Sequence, residues 1–255
     1  MLKYYEKQDY PIVKYDSYKK IGSMNEVNQA DVIFVCVPTP YLKGFGYSLK
    51  EVHNALSQIN FGKSVVLRST LLPGTTKKLS EKYPNLDLFF NPEFLSEATA
   101  QENFDNPVLQ IIGISDMESQ EEKDFATDLL FVLPNGKNNL VVRWEVAESI
   151  KMARNVLSAT RVVILNEIYD ILNKKNICYD DVKKGLEALC EVPSKHIDVI
   201  HKGGRGAGGK CLEKELSAFT EFGKLSNRPS KIIELANEIN KKLLKKYPKD
   251  DSPSS

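Results

Sequence analysis

The chain has 255 residues, 42% hydrophobic and 27% charged, an ordinary globular composition. A chain of that length buries about 70–75% of its unfolded surface without needing disulfides. Lys and Arg number 35 against 34 Asp and Glu, and a net charge of +1 argues against a dedicated nucleic-acid binder. No apolar run nears the roughly 18–20 residues of a membrane span, and no signal-peptide pattern opens the chain. The expected address is therefore the cytoplasm, with no membrane partner.

In chain order, Met1–Gln8 has helical spacing. Short β-rich runs then alternate with helical stretches. The candidate strands are Ile12–Tyr15, Asp31–Val37, Ser64–Arg68, Leu86–Phe90, Leu109–Ile114 and Leu140–Arg143. They are continuous apolar runs, as in parallel strands covered on both faces. Helical spacing between them, as in Leu49–Ile59 and Glu118–Phe131, predicts an α/β, Rossmann-like parallel sheet over residues 1–143. From Glu145 to Asn173 there is no Gly or Pro, and Val146, Ile150, Ala153, Leu157 and Ile164 mark one long amphipathic helix. A helix over Asp180–Leu189, a glycine-rich loop at Lys202–Lys210 and helices over Leu212–Lys224 and Lys231–Tyr247 complete an all-helical domain at 144–247. The polar end, Pro248–Ser255, reads as a disordered tail.

The four cysteines, Cys36, Cys178, Cys190 and Cys211, form no CxxC pair, and the histidines are only His53, His196 and His201. Neither a zinc site nor a disulfide framework is expected.

Ligands of open α/β sheets bind beyond the carboxyl ends of the strands. Asp16 ends the first candidate strand, where a ribose-binding carboxylate would stand; a surface Asp in a turn is the other reading. Val37-Pro38-Thr39-Pro40 ends the second, and Thr39 could bond a cofactor phosphate or ribose. Arg68-Ser69-Thr70-Leu71-Leu72-Pro73-Gly74-Thr75 clusters hydroxyls at a third strand end, as either a ligand loop or an ordinary N-cap. In Asn91-Pro92-Glu93-Phe94-Leu95-Ser96-Glu97 the two acids share a face if the turn is helical, which suits acid/base work or a helix N-terminus. On the long helix, Glu148, Lys151 and Asn155 follow at intervals of three and four, so the Lys and Asn share one stripe and can polarise a substrate oxygen.

The sharpest signal is Gly203-Gly204-Arg205-Gly206-Ala207-Gly208-Gly209-Lys210-Cys211, with five glycines in seven residues feeding a helix whose first residue is a cysteine. Glycines permit close backbone approach to a ligand. A thiol at a helix N-terminus beside Lys210 and Lys214 is favoured as the nucleophilic thiolate. A Walker-type phosphate loop would need Ser or Thr after the Lys, and Cys211 stands there.

These segments, in this order, resemble the UDP-glucose/GDP-mannose dehydrogenase family: Val37–Pro40, Ser69–Thr75, Asn91–Glu97, Glu148–Asn155 and Gly206–Glu215. The similarity runs from about residue 12 to 241. The resemblance implies an NAD-dependent sugar-nucleotide 6-dehydrogenase acting on a UDP- or GDP-sugar in two successive oxidations, and a homodimer formed through the long helix. It implies that Cys211 is the nucleophile, Lys151 and Asn155 polarise substrate oxygens, and Glu97, Thr70 and Glu215 serve catalysis. Asp16, Thr39, Thr70, Glu97 and Lys214 would contact the cofactor. Glu93, Phe94, Leu95, Lys151, Asn155, Gly203, Gly204 and Gly208 would line the substrate site.

The chain departs from the family pattern at Glu215, where the family has Asp, at Leu109 where it has Arg, and at Ala207 where an aromatic is usual. The first Rossmann strand with its glycine fingerprint, and the family's C-terminal domain, have no counterpart in these 255 residues. The expectation is a gene model or fragment that starts about 20 residues late, or else a relative that no longer binds NAD. Two other readings stay open: a one-step β-hydroxyacid-type dehydrogenase, against which Cys211 speaks, and a non-catalytic sugar-nucleotide-binding remnant.

Overall fold

A computed structural model describes residues 1–95, 99–189 and 196–249. They form two compact units, one of Met1–Pro40 and Tyr47–Lys151, the other of Tyr41–Gly46 and Met152–Ser255.

The first unit opens with helices α1 (Leu2–Lys7) and α2 (Met24–Val27). Ser23 caps α2 by accepting the Glu26 N–H, and its hydroxyl bonds the Glu26 carboxylate in return. Strand β1 (Val32–Val35) follows; the chain then passes through the paired β2 (Tyr41–Leu42) and β3 (Gly46–Tyr47), of which Tyr41–Gly46 belongs to the second unit, and re-enters the first at Tyr47 for α3 (Lys50–Leu56), β4 (Lys63–Leu67), α4 (Thr75–Lys82) and β5 (Leu86–Phe90). Next come α5 (Ala100–Asp105), β6 (Leu109–Ile114), α6 (Gln120–Val132), β7 (Asn138–Arg143) and the start of α7 (Trp144–Asn173).

The sheet order is β1-β4-β5-β6-β7. β1 pairs with β4, and β4 with β5, in parallel, with Val35 opposite Leu67 and Leu67 opposite Phe90. β6 and β7 are parallel to each other, but β6 meets β5 antiparallel at Phe90 and Gly113, so one step of the sheet departs from the all-parallel expectation. A parallel crossover needs a connection of about a dozen residues or more that carries the chain back along the sheet. Among the described residues of the connection 91–108, the only α-helix is the six-residue α5.

Alternation along the strands explains why both faces are apolar. Val65, Leu67, Leu88, Phe90 and Ile111 pack on one face with Val52, Leu56, Leu79, Trp144 and Ala147. Val66, Phe89, Ile112 and Ile114 pack on the other with Ala126, Leu129 and Leu133. Each fully buried side chain of this kind contributes about 1.5–3 kcal/mol. Gly113 lets α7 start close against the sheet: a Cβ there would lie 3.1 Å from the Ala147 Cβ and 3.2 Å from the Trp144 Cα, so its neighbours would have to give by a few tenths of an ångström.

Ile12–Tyr15 corrects the expectation of a first strand. It pairs with no strand among the described residues; the pairing nearby is an isolated bridge between Asp16 and Ile21. Val13 and Tyr15 are 45% and 41% exposed. β-prone residues become a strand only against a ladder partner, and β1 pairs only with β4.

The second unit holds α7 beyond Lys151, α8 (Tyr179–Ala188), a hairpin of β8 (Ile200–His201) and β9 (Gly204–Arg205), α9 (Gly209–Leu225) and α10 (Lys231–Lys246). The two-residue strands qualify the all-helical expectation without changing its character. Val156, Ala159, Val162, Ala207 and Leu216 form one core, and Leu165, Tyr179, Ile197 and Val199 another. Pro248 and Lys249, expected in the disordered tail, lie against Gly204. No helix among the described residues is long and apolar enough to cross a membrane.

Candidate functional site

In the first unit three loops leave the carboxyl ends of β1, β4 and β5. Two are tied together directly: Ser69 Oγ donates to the Val37 carbonyl at 2.7 Å, and Thr39 Oγ1 donates to the Thr70 carbonyl at 2.8 Å. Thr39 is buried and Thr70 half-buried. The third loop is anchored at fully buried Asn91, whose N–H donates to Leu67 O at 2.9 Å and whose Nδ2 donates to Ile111 O at 2.7 Å.

Beyond Asn91 the segment 91–95 is not helical, so the condition that would put Glu93 and Glu97 on one face is not met there. Glu97 lies outside the described residues. Glu93 Oε2 accepts the Leu95 N–H at 2.7 Å. Lys151, only 2% exposed, donates to Glu93 Oε1 at 3.0 Å and to the Glu93 carbonyl at 2.6 Å, with its ammonium 5.8 Å from the centre of the Phe94 ring. Burial pushes the Glu93 carboxyl up, but the Lys151 charge and the Leu95 N–H outweigh it and leave the group below its ordinary value. A buried ammonium is thus fixed by one carboxylate and one carbonyl.

Asp16 is occupied locally. Its Oδ1 accepts the N–H groups of Tyr18 and Lys19, both at 3.0 Å, which is the turn geometry the sequence also allowed.

Glu148, noted in the sequence only as a neighbour of Lys151, is fully buried and bonds α7 to the start of α4. It accepts from Gly74 N at 2.6 Å, Thr76 N at 2.8 Å and Thr76 Oγ1 at 2.6 Å. This is a helix N-cap supplied from 72–74 residues away. The sequence signal was a glycine and two threonines opening a helix, with an acid one turn before the lysine. Burial raises the Glu148 carboxyl to about 7 despite its three donors. A carboxyl raised in the folded state stabilises the fold most when protonated. That contribution is complete below 4.5, the ordinary value, and is lost as pH rises through about 7. Glu148→Gln removes the titration, so its unfolding midpoint should differ less between about pH 5 and about pH 8 than that of the unsubstituted protein. Parallel pH profiles of the two proteins in calorimetry would contradict this.

In the second unit Cys211 is exposed and lies in the first turn of α9, whose N-cap is Gly208. The Lys210 side chain lies outside the description; Lys214 is half-buried. One turn past the thiol, Glu215 is 1% exposed and accepts a hydrogen bond from Asn155 Nδ2 of α7. Asn155, also 1% exposed, accepts from Arg154 Nη1 at 2.6 Å through its Oδ1. The longer acid at position 215 is thereby accommodated within this unit.

Three of the glycines, Gly204, Gly206 and Gly208, pack against α10 and the residues after it. A Cβ on Gly204 would lie 2.6 Å from the Pro248 carbonyl oxygen, and one on Gly206, at φ +93, would lie 3.2 Å from Asn240 Oδ1. Gly208 faces Leu244 and Lys249, whereas Gly203 is open on its Cβ side. Ala207, where the family has an aromatic, is bracketed by buried Asn240, donating its N–H to Oδ1 at 2.7 Å and accepting from Nδ2 at 3.1 Å.

A dinucleotide needs ribose contacts and a cradle for its diphosphate, which is usually a glycine turn at a helix N-terminus. Asp16, Thr39 and Thr70 offer oxygens of the kind that bind ribose hydroxyls. Among the described residues of the first unit, α4 starts after a strand and a glycine, but the N–H groups of Gly74 and Thr76 are already taken by Glu148. Among the described residues of the first unit, Asp16, Thr39 and Thr70 are of the type that suits the ribose ends of NAD, and the start of α4 is closed to its diphosphate by Glu148.

A largely parallel sheet with helices on both faces, followed by a helical unit, makes the chain an α/β protein of the Rossmann-like class. Residues 5–127 match the NAD binding domain of the UDP-glucose/GDP-mannose dehydrogenase family, and residues 145–242 match that family's central domain. The chain belongs to this family. It is 28% identical over 227 residues to the UDP-glucose 6-dehydrogenase of Rickettsia felis, covering 85% of this chain and 49% of the relative. It is 30% identical over 214 residues to the GDP-mannose 6-dehydrogenase of Pseudomonas putida, covering 76% and 47%. A UDP-glucose dehydrogenase from Pyrobaculum islandicum superposes with a TM-score of 0.75 at 25% identity, over 86% of this chain and 52% of that one. The chain spans about half the length of each of these relatives.

Proposed function

We propose that the chain carries the chemistry of a sugar-nucleotide 6-dehydrogenase, converting the C6 alcohol of a UDP- or GDP-sugar to a carboxylate. The observation that carries this reading is Cys211 in the first turn of α9, one turn before a buried Glu215 bonded to Asn155. In it, Cys211 adds as a thiolate to the C6 aldehyde, giving a thiohemiacetal. After the second oxidation the same sulfur holds the acyl group as a thioester. Asn155 and Glu215 hold the water whose attack forms the C–O bond, breaks the C–S bond and returns the thiol. Lys151, fixed by Glu93, polarises the C6 oxygen and stabilises the oxyanion. The family resemblance assigns Phe94, Leu95, Gly203, Gly204 and Gly208 to the sugar, and Thr70 and Glu97 to the water and cofactor. NAD, when bound, would supply the hydride acceptor for both oxidations, and Asp16, Thr39 and Lys214 are the residues the family resemblance assigns to holding it. Stoichiometry tests this: two NADH per uronate are expected, and one NADH with the aldehyde as end product would favour a one-step dehydrogenase. The unfilled need for a diphosphate cradle favours a second reading, a non-catalytic sugar-nucleotide binder, which would show ligand binding and no NADH.

The same reading includes a homodimer through α7. Leu157, Ile164, Ile168 and Ile171 follow at intervals of seven, four and three and are 66%, 54%, 36% and 65% exposed, an apolar stripe along the helix. Sedimentation at tens of micromolar should show a dimer, and Leu157→Glu with Ile164→Glu should shift it to monomer. A monomeric unsubstituted protein would contradict the proposal.

A further inference from the structure

The glycine run before Cys211 is the segment with least intrinsic order, since glycine has the most conformational freedom to lose. Yet it delivers the thiol to a defined place at the start of α9. Arg205, in the middle of that run, is 6% exposed, and all three of its guanidinium nitrogens are engaged. Nε donates to Asn166 Oδ1 at 2.8 Å, Nη2 to the Asn166 carbonyl at 3.2 Å, and Nη1 pairs with Asp170 Oδ1 at 2.8 Å. The guanidinium carbon lies 4.8 Å from the Tyr169 ring centre and 4.7 Å from that of Tyr247. The Arg205 N–H donates to the Tyr247 carbonyl at 3.1 Å.

We propose that Arg205 is a positioning residue for Cys211: its guanidinium pins the glycine loop to α7 and to the end of α10, and so sets the first turn of α9 that carries the thiol. The proposal rests on the thiol chemistry above and adds a residue to it. The chain between clamp and thiol is short, and Arg205 together with the Asn240 bracket on Ala207 holds the segment that ends in Gly208, the N-cap of α9. The first-turn N–H groups and the helix dipole favour a thiolate there only while that turn is formed. Lysine could keep the charge opposite Asp170 and a ring contact, but it lacks the planar fork that also serves both Asn166 acceptors.

The test is alkylation of the full chain by iodoacetamide at neutral pH, read peptide by peptide in mass spectrometry, with exposed Cys36 and Cys178 as internal references. Arg205→Gln should slow Cys211 about fivefold, leave the two reference thiols unchanged and speed deuterium exchange at the amides of Gly206–Cys211. Arg205→Lys should recover part of the Cys211 rate. An unchanged Cys211 rate in Arg205→Gln, or the same change at all three thiols, would overturn the proposal. Should Arg205→Gln not fold, Arg205→Lys carries the same criterion, with an intermediate Cys211 rate expected and an unchanged one contradicting. Acid formation by Cys211→Ser is a separate readout, so failure of the clamp and failure of the thiol chemistry are distinguishable.

Discussion

Cys211→Ser should lower acid formation by three or more orders of magnitude, on the order of what removal of an enzyme's nucleophile costs, while leaving the fold intact. The thiol is exposed, so replacing sulfur by oxygen empties no core volume. A serine hydroxyl at the same helix start is far from ionised at neutral pH and is a poor trap for an aldehyde. Helical signal and melting temperature should match the unsubstituted protein, because Glu215, Asn155 and the Ala207–Asn240 bracket are untouched. Acid formation at the unsubstituted rate, with a nucleotide sugar that the protein turns over, would remove Cys211 from the mechanism.

The second large effect concerns the cofactor. The 255-residue chain should bind NAD several orders of magnitude more weakly than the same chain extended at its N-terminus by a strand and a G-x-G-x-x-G turn. Charge-assisted bonds from backbone N–H groups to a diphosphate contribute roughly 1.5–3 kcal/mol each, and a glycine turn at a helix start supplies several. In the first unit the candidate replacement, the start of α4, is filled by the Glu148 carboxylate. The extension would also give β1 a neighbour on its open edge, next to which Ile12–Tyr15 could then pair. Calorimetry on both chains decides the matter, and micromolar affinity without the extension would contradict the expectation.

The strands β5 and β6 match the sequence expectation end to end, and β1, β4 and β7 differ by one or two residues, because a doubly covered strand must be apolar on both sides. The helix α7 is equally legible, since nothing in its sequence can break it. Ile12–Tyr15 has the composition of a strand and is not one, since pairing depends on a partner that no local pattern reports. The motif positions around Thr70, Glu93, Lys151, Asn155 and Cys211 were visible as residue types at strand ends and helix starts. Their partners were not. Glu148 on Gly74 and Thr76, Lys151 on Glu93, Glu215 on Asn155 and Arg205 on Asn166 and Asp170 are contacts between residues 35–74 apart in the chain. The glycine loop was legible as a close approach, but what approaches Gly204 and Gly206 is the chain's own Pro248 and Asn240.

Capture of a sugar aldehyde by Cys211 can be tested without relying on NAD affinity. The chain is incubated with the C6 aldehyde of a UDP- or GDP-sugar, with the parent alcohol as control, and alkylation of each cysteine is followed by mass spectrometry. The aldehyde should protect Cys211, the alcohol should do so much less, and Cys36 and Cys178 should react at unchanged rates. Equal protection by aldehyde and alcohol, or no protection of Cys211 by any sugar-nucleotide aldehyde, would contradict it.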